Sequence, residues 1–268
     1  MLQLKMPGSV VVKSTVKAIL KGNRIPSGIV GIIPYLVYLL AAFVAGAFSM
    51  LLTRQQWLAG IIFAVLTVLL FAPCFLGAVR WFWRASGDCF DTPSEVFHYF
   101  SSFFLYKRAM KCILFLMFKC FTAFFTCLLP YLIVTVISNS WIYKFLGTEV
   151  PLWVAGLALV QSFLRVVGIV SALVVISRYY LFPAIFVMDD DMLLLEAIHI
   201  SVMVSRRSVS SFVALGFSFF GMILLSLFAV PLFYTAPVFF TAYAVHSRFA
   251  LVNYNQNLDR FNYQQYNY

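Results

Sequence analysis

The sequence predicts an all-α integral membrane protein. About six transmembrane helices form three hairpins, each preceded by an amphipathic interfacial helix on the cytoplasmic side. Three observations carry this. Hydrophobic residues make up 63 % of the 268, more apolar surface than a soluble globule of this size hides. Charged residues make up only 10 %, against about 25 % in an ordinary soluble domain. Those charges gather at the ends of apolar runs, as expected where lipid is the solvent. Composition excludes a soluble enzyme, a disordered chain and a secreted disulfide scaffold.

Six apolar segments can be drawn, at about 27–52, 57–80, 111–137, 152–182, 209–229 and 232–250. The fourth is longer than a bilayer is thick, so it tilts, bends near Gly168 or projects into the cytoplasm. Only Ala229, Val230 and Pro231 separate the fifth and sixth. These two either span or form a re-entrant pair shielded by other helices.

The basic residues then sort by side. Fifteen of the 19 fall on one side, among them Lys13, Lys17, Lys21, Arg80, Arg84, Lys107, Arg108, Arg178, Arg206 and Arg207. Arg54 and Lys144 fall on the other, while Lys119 and Arg165 lie inside segments. This bias places both termini and the long connections in the cytoplasm, in a multi-pass protein of the cell membrane. The N-terminal stretch has evenly spread lysines and no compact apolar core, unlike a cleavable signal.

Three connections on the basic side read as interfacial helices. In the first, at about 9–22, Lys13, Lys17 and Lys21 share one face, while Val12, Val16, Ile19 and Leu20 form the other. The second opens on Thr92-Pro93-Ser94-Glu95, a capping box with proline at the first helical position, and Val96, Phe97, Phe100, Phe103 and Phe104 give it an apolar face. The third follows Asp189-Asp190-Asp191, with Leu194, Leu195, Ile198 and Val202 facing one way. Each ends in a basic step. The recurrence predicts a single membrane domain over 1–252, built from pseudo-repeats at about 9–84, 92–188 and 190–250. A second sign agrees: Ala72-Pro73 leads to Arg84, and Ala236-Pro237 leads to Arg248, with an offset of 164 at both places. Residues 253–268 are rich in Tyr, Asn and Gln and read as a disordered cytoplasmic tail.

The run from Arg178 to Arg207 resembles an uncharacterised bacterial membrane family, domain of unknown function 975. The residues in its signature positions are Tyr179, Tyr180, Pro183, Asp189, Glu196, Ala197, Ser201, Ser205 and Arg206. The Leu20-Lys21-Gly22-Asn23 and Gly77–Phe82 stretches fit the same pattern. The chain is also distantly similar to the membrane domain of some glycerophosphodiester phosphodiesterases. These resemblances imply a polytopic membrane protein working near lipid headgroups, and attach no activity to it.

No metalloprotease, nucleophile-elbow, Walker or dinucleotide-binding motif occurs, and no cofactor is predicted. The five cysteines form no CxxC pair and read as reduced packing residues. Eight of nine acids fall on the basic side. Asp88, Asp91, Asp189, Asp190 and Asp191 read chiefly as helix caps and weakly as metal ligands. Glu95, Glu196, His98 and His199 stand near them in sequence. Lys119 and Arg165 are the sharper clue, because a cation at a helix centre costs roughly 2.5–3.5 kcal/mol on insertion scales. With Gln161, one turn before Arg165, they either hold an anion or lipid headgroup, or snorkel and bond to free carbonyls. The expected function is a non-enzymatic lipid-associated scaffold or accessory factor in the bacterial envelope. Its expected partners are anionic membrane lipids and an unidentified membrane protein, not nucleic acid. The alternatives are a transporter-like subunit with an anionic substrate near Arg165 and, less favoured, a lipid-phosphate enzyme using the Asp/His cluster.

Overall fold

The computed structural model describes residues 8–52, 56–145, 152–225 and 229–266. Lys5, Arg54, Glu149 and the Arg207 side chain lie outside the described residues. The chain is helical, with no strand among the described residues. Its helices are α1 (Ser9–Lys21), α2 (Arg24–Leu52), α3 (Gln56–Leu66), α4 (Ala72–Ala85), α5 (Phe103–Phe145), α6 (Leu152–Ile176), α7 (Phe182–Met188), α8 (Leu194–Ser218), α9 (Phe220–Leu225) and α10 (Ala229–Tyr266). Among the described residues, four stretches are long and apolar enough to cross a membrane: Arg24–Phe48, Gly60–Ala85, Phe103–Val136 and Gly156–Met188. The fifth predicted segment is divided between the end of α8 and the short α9, and the sixth lies within α10.

The helices form two compact units: Met1–Ile113 with Leu181–Tyr268, and Leu114–Tyr180. The larger unit is centred on α4. Leu76, Val79, Trp81 and Phe82 of α4 are buried with Phe182, Ile185 and Phe186 of α7. Phe82 stacks on Phe240 of α10, with ring centroids 5.3 Å apart. Gly77 lets a 3-10 turn, Pro93–Phe100, lie directly on α4, since a Cβ at Gly77 would meet the Val96 carbonyl oxygen. Likewise, a Cβ at Gly31 of α2 would stand 2.9 Å from the Pro237 nitrogen of α10. Small residues permit such backbone approaches where lipid supplies no drive for helix association.

The entry to α4 is a π-turn, Thr67–Phe71, ahead of Pro73. Pro73 has no N–H to return to the Leu69 carbonyl four residues earlier, and the Tyr106 hydroxyl donates to that carbonyl at 3.1 Å. Tyr243 of α10 makes a comparable repair, accepting the Ala184 N–H in the first turn of α7 at 3.2 Å.

The three expected interfacial helices take different forms. α1 places Val12 and Val16 in a cluster with Leu215, Phe219, Val238, Ala242 and Val245, so its apolar stripe is covered by α8, α10 and Phe219. The second is the 3-10 turn, which buries Val96 and Tyr99, leaves Phe97 exposed and has no side-chain cap at Thr92. It stops at Ser101, and the Ser102 hydroxyl accepts the Leu105 N–H at the start of α5. The third is continuous with the fifth predicted segment: α8 runs unbroken through Arg206. Its buried stripe is Ala197, Ser201, Val204, Ser205 and Ser208, while Leu195 is exposed. Small residues, not the leucines, are the packing face. Where composition suggests an unstructured tail, α10 continues through that tail to Tyr266, since propagating an anchored helix is cheaper than nucleating one.

The smaller unit contains the C-terminal part of α5 and α6. A Cβ at Gly168 would stand 2.9 Å from the Cys127 carbonyl oxygen. Nearer the far end, the Gln161 amide donates to the Ser138 hydroxyl, which donates to the Thr135 carbonyl at 3.1 Å. These two contacts define an antiparallel register.

Candidate functional site

The basic residues of the larger unit shape two concavities. The first is a groove of about 550 Å³ beside α1. Spacing of four residues puts Lys13, Lys17 and Lys21 on one face, and Arg24 begins the next helix. These four cations rim a floor containing Val16, Leu20, Phe219, Met222 and Val238. The Lys13 ammonium donates to the Ser218 carbonyl at 2.8 Å and lies 4.9 Å from the Phe219 ring centroid. It thus satisfies a carbonyl at the C-terminus of α8, where a cation is also favoured by the helix dipole. Lys17, Lys21 and Arg24 are exposed. Positive charge over an apolar floor is complementary to an anionic amphiphile.

The second is a pocket of about 210 Å³, lined by Arg80, Trp83, Arg84, Cys89, Val187, Met188 and Arg248. Each arginine is held from behind. Arg80 donates to Asp190 Oδ1 at 2.7 Å, and Arg84 to Asp91 Oδ2 at 2.7 Å. Arg248 lies over the Trp83 ring, 4.8 Å from its centroid, and donates through Nε and Nη2 to the Trp83 carbonyl. A Cβ at Gly87 would come within 2.4 Å of Arg248 Nη2. Arg84 and Arg248, the matched residues of the proposed repeat, line one pocket.

Behind the pocket runs an ionic network. Arg108 donates to Asp190 Oδ1 at 3.5 Å and to the Asp189 carbonyl at 2.6 Å, and stacks on Phe186. His98 lies between Glu95 Oε2, 3.6 Å from Nδ1, and Asp190 Oδ2, 4.0 Å from Nε2, beyond hydrogen-bond distance of both. Desolvation alone would raise the Asp190 pKa. The Arg80 hydrogen bond and charge, helped by His98 and Arg108, outweigh it and hold the carboxyl below its ordinary value. His98 is held low by desolvation and then by Arg80. Burial pushes the Tyr99 phenol up.

The acids read as helix caps make other contacts in the fold. α8 has Leu193 at its N-cap and no side-chain cap. Asp190 serves Arg80 and Arg108, Asp91 serves Arg84, and Asp189 accepts the Asp191 N–H at 2.9 Å. Asp88 occupies a left-handed turn position, at φ 62°. For Asp190 and Asp91 the physical reason is Coulombic: arginines brought near them by the tertiary fold outcompete a local N–H. Among the described residues, no three His, Cys, Asp or Glu side chains gather as metal ligands.

The intramembrane candidates do not share a site. The register set by Gly168 and Gln161 puts Arg165 roughly level with residues 130–134 of α5. Lys119 is at least eleven residues away along that helix, or about 16 Å. Its ammonium lies 5.4 Å from the Phe115 ring centroid. Gln161 is committed to Ser138, and Arg165 is exposed. Among the described residues, no carboxylate pairs with either cation. Lys107, Arg178 and Arg206 are exposed and line neither the groove nor the pocket.

Sequence reading missed the Arg80–Asp190 and Arg248–Trp83 contacts, which join residues 110 and 165 positions apart. It also missed His246, buried in α10 with Nε2 3.0 Å from the Ser211 hydroxyl. The shared Ala-Pro-to-Arg spacing was the one signal that pointed toward Arg248.

The helices and their apolar spans define an all-α membrane protein. The chain matches no family model, no curated protein and no solved structure.

Proposed function

We propose that this is a non-enzymatic, multi-pass protein of the cell membrane that engages anionic lipid, as a scaffold or accessory factor of an envelope process. The observation that carries the reading is the α1 groove, where Lys13, Lys17, Lys21 and Arg24 rim an apolar floor. Each cation near an anionic surface contributes about 1 kcal/mol of attraction. An acyl chain on Leu20, Met222 and Val238 would add burial that a soluble anion cannot supply. The one-sided distribution of Lys and Arg supports cytoplasmic termini and a groove facing the cytoplasmic leaflet.

Native mass spectrometry tests this on the full chain released from bilayers mixing zwitterionic and anionic phospholipid. Anionic lipid should be retained preferentially, and a K17Q/K21Q/R24Q variant should lose most of that preference. Equal retention of both lipid classes by the unaltered protein overturns the reading.

A further inference from the structure

We propose that the pocket between Arg80, Arg84 and Arg248 is a binding site for a phosphate monoester, separate from the α1 groove and independent of the lipid reading made for it. Three guanidinium groups line about 210 Å³ with no carboxylate among the lining residues. Side by side, such charges repel unless an anion stands between them. Asp190 and Asp91 answer two of them from outside the pocket. Arg248 has no carboxylate within ion-pair distance among the described residues.

Each guanidinium is nonetheless fixed. Asp190 orients Arg80, Asp91 orients Arg84, and the Trp83 ring and carbonyl orient Arg248. Such bonds use one or two of the five N–H groups of each fork. Others remain for a ligand. Planar forks oriented in advance match the tetrahedral oxygens and double charge of a phosphate monoester better than a singly charged diester. Val187 and Met188 complete the wall with apolar atoms. Arg80 and Arg84 lie at the end of one apolar span and Met188 at the end of another, the level at which a headgroup phosphate would reside. A lipid phosphate monoester and a soluble one share this chemistry.

Cys89 provides the test, since it lines the pocket and is exposed, whereas Cys74 and Cys112 are buried. The full chain in nanodiscs is treated with a charged maleimide, and modification of the Cys89 peptide is timed by mass spectrometry. Three ligands are compared: inorganic phosphate, glycerol phosphate and phosphatidic acid placed in the nanodisc. Saturable slowing of at least about fivefold is expected with one or more of them. Protection only by phosphatidic acid identifies a headgroup, and protection by the soluble compounds identifies a free phosphate. R248Q should weaken protection about tenfold or more. R84Q, at an exposed position, serves the same purpose if R248Q does not fold. The K17Q/K21Q/R24Q variant should keep full protection, which separates this site from the groove. A labelling rate unchanged by all three ligands overturns the proposal, and so does protection that survives in both R84Q and R248Q.

Discussion

Arg80 and Asp190 meet at 2.7 Å across 110 residues of sequence, tying α4 to the turn that precedes α8. The arginine side chain is 13 % exposed and the aspartate 40 %. Arg108 and His98 approach the same carboxylate, so one acid holds Arg80 in the pocket wall and ties Arg108 to it.

Removing that acid strands a largely buried guanidinium. Asp190→Ala should lower stability by about 2 kcal/mol, less than for a fully buried pair because water still reaches the carboxylate. Asp190→Asn keeps an acceptor for Arg80 and should cost about half as much. Thermal unfolding of the purified variants in detergent measures both. Two variants indistinguishable from the unaltered protein would show that the pair is ornamental.

The same cluster sets a pH dependence. His98 has a folded pKa below its ordinary 6.5, so the fold prefers the neutral ring. Its contribution is complete above about 6.5 and is lost as pH falls toward the lowered folded value. Asp190 has a folded pKa below its ordinary 3.8, so its contribution persists until pH drops below about 4 and vanishes through the lowered value. Thermal stability measured against pH should fall in two stages on acidification. H98Q should shrink the upper stage and leave the lower one. An upper stage of unchanged size in H98Q assigns it to another group.

Gly77 carries the approach of the 3-10 turn to α4. Gly77→Ala would drive a methyl into the Val96 carbonyl and force backbone apart, at a cost of at least about 3 kcal/mol. Gly46 of α2 has open space where a Cβ would stand, and Gly46→Ala should be neutral or slightly stabilising through helix propensity. Comparing folded yield and unfolding temperature of the two variants checks the difference. Equal behaviour would mean that the close approach at Gly77 is not required.

Sequence by itself determined that the chain is helical and that lipid surrounds much of it. Both follow from local quantities: an apolar run must satisfy its own backbone hydrogen bonds in hydrocarbon, and a helix does so within the segment. The lysine row of α1 was legible for the same reason, because helical periodicity is a local rule. Tertiary structure decided which faces pack. On α8 the amphipathic reading favoured Leu194 and Leu195, yet Ala197, Ser201, Ser205 and Ser208 are buried. Leucine is content against lipid, whereas small residues let helices approach closely. Tertiary structure also decided the partners of the charges. Asp190 reads locally as a cap, and only the fold brings Arg80 and Arg108 to it. Lys119 and Arg165 look like companions in the sequence, and the α5–α6 register separates them. Charge pairing acts over a few ångströms of space, and sequence separation sets no limit on which residues the fold brings that close.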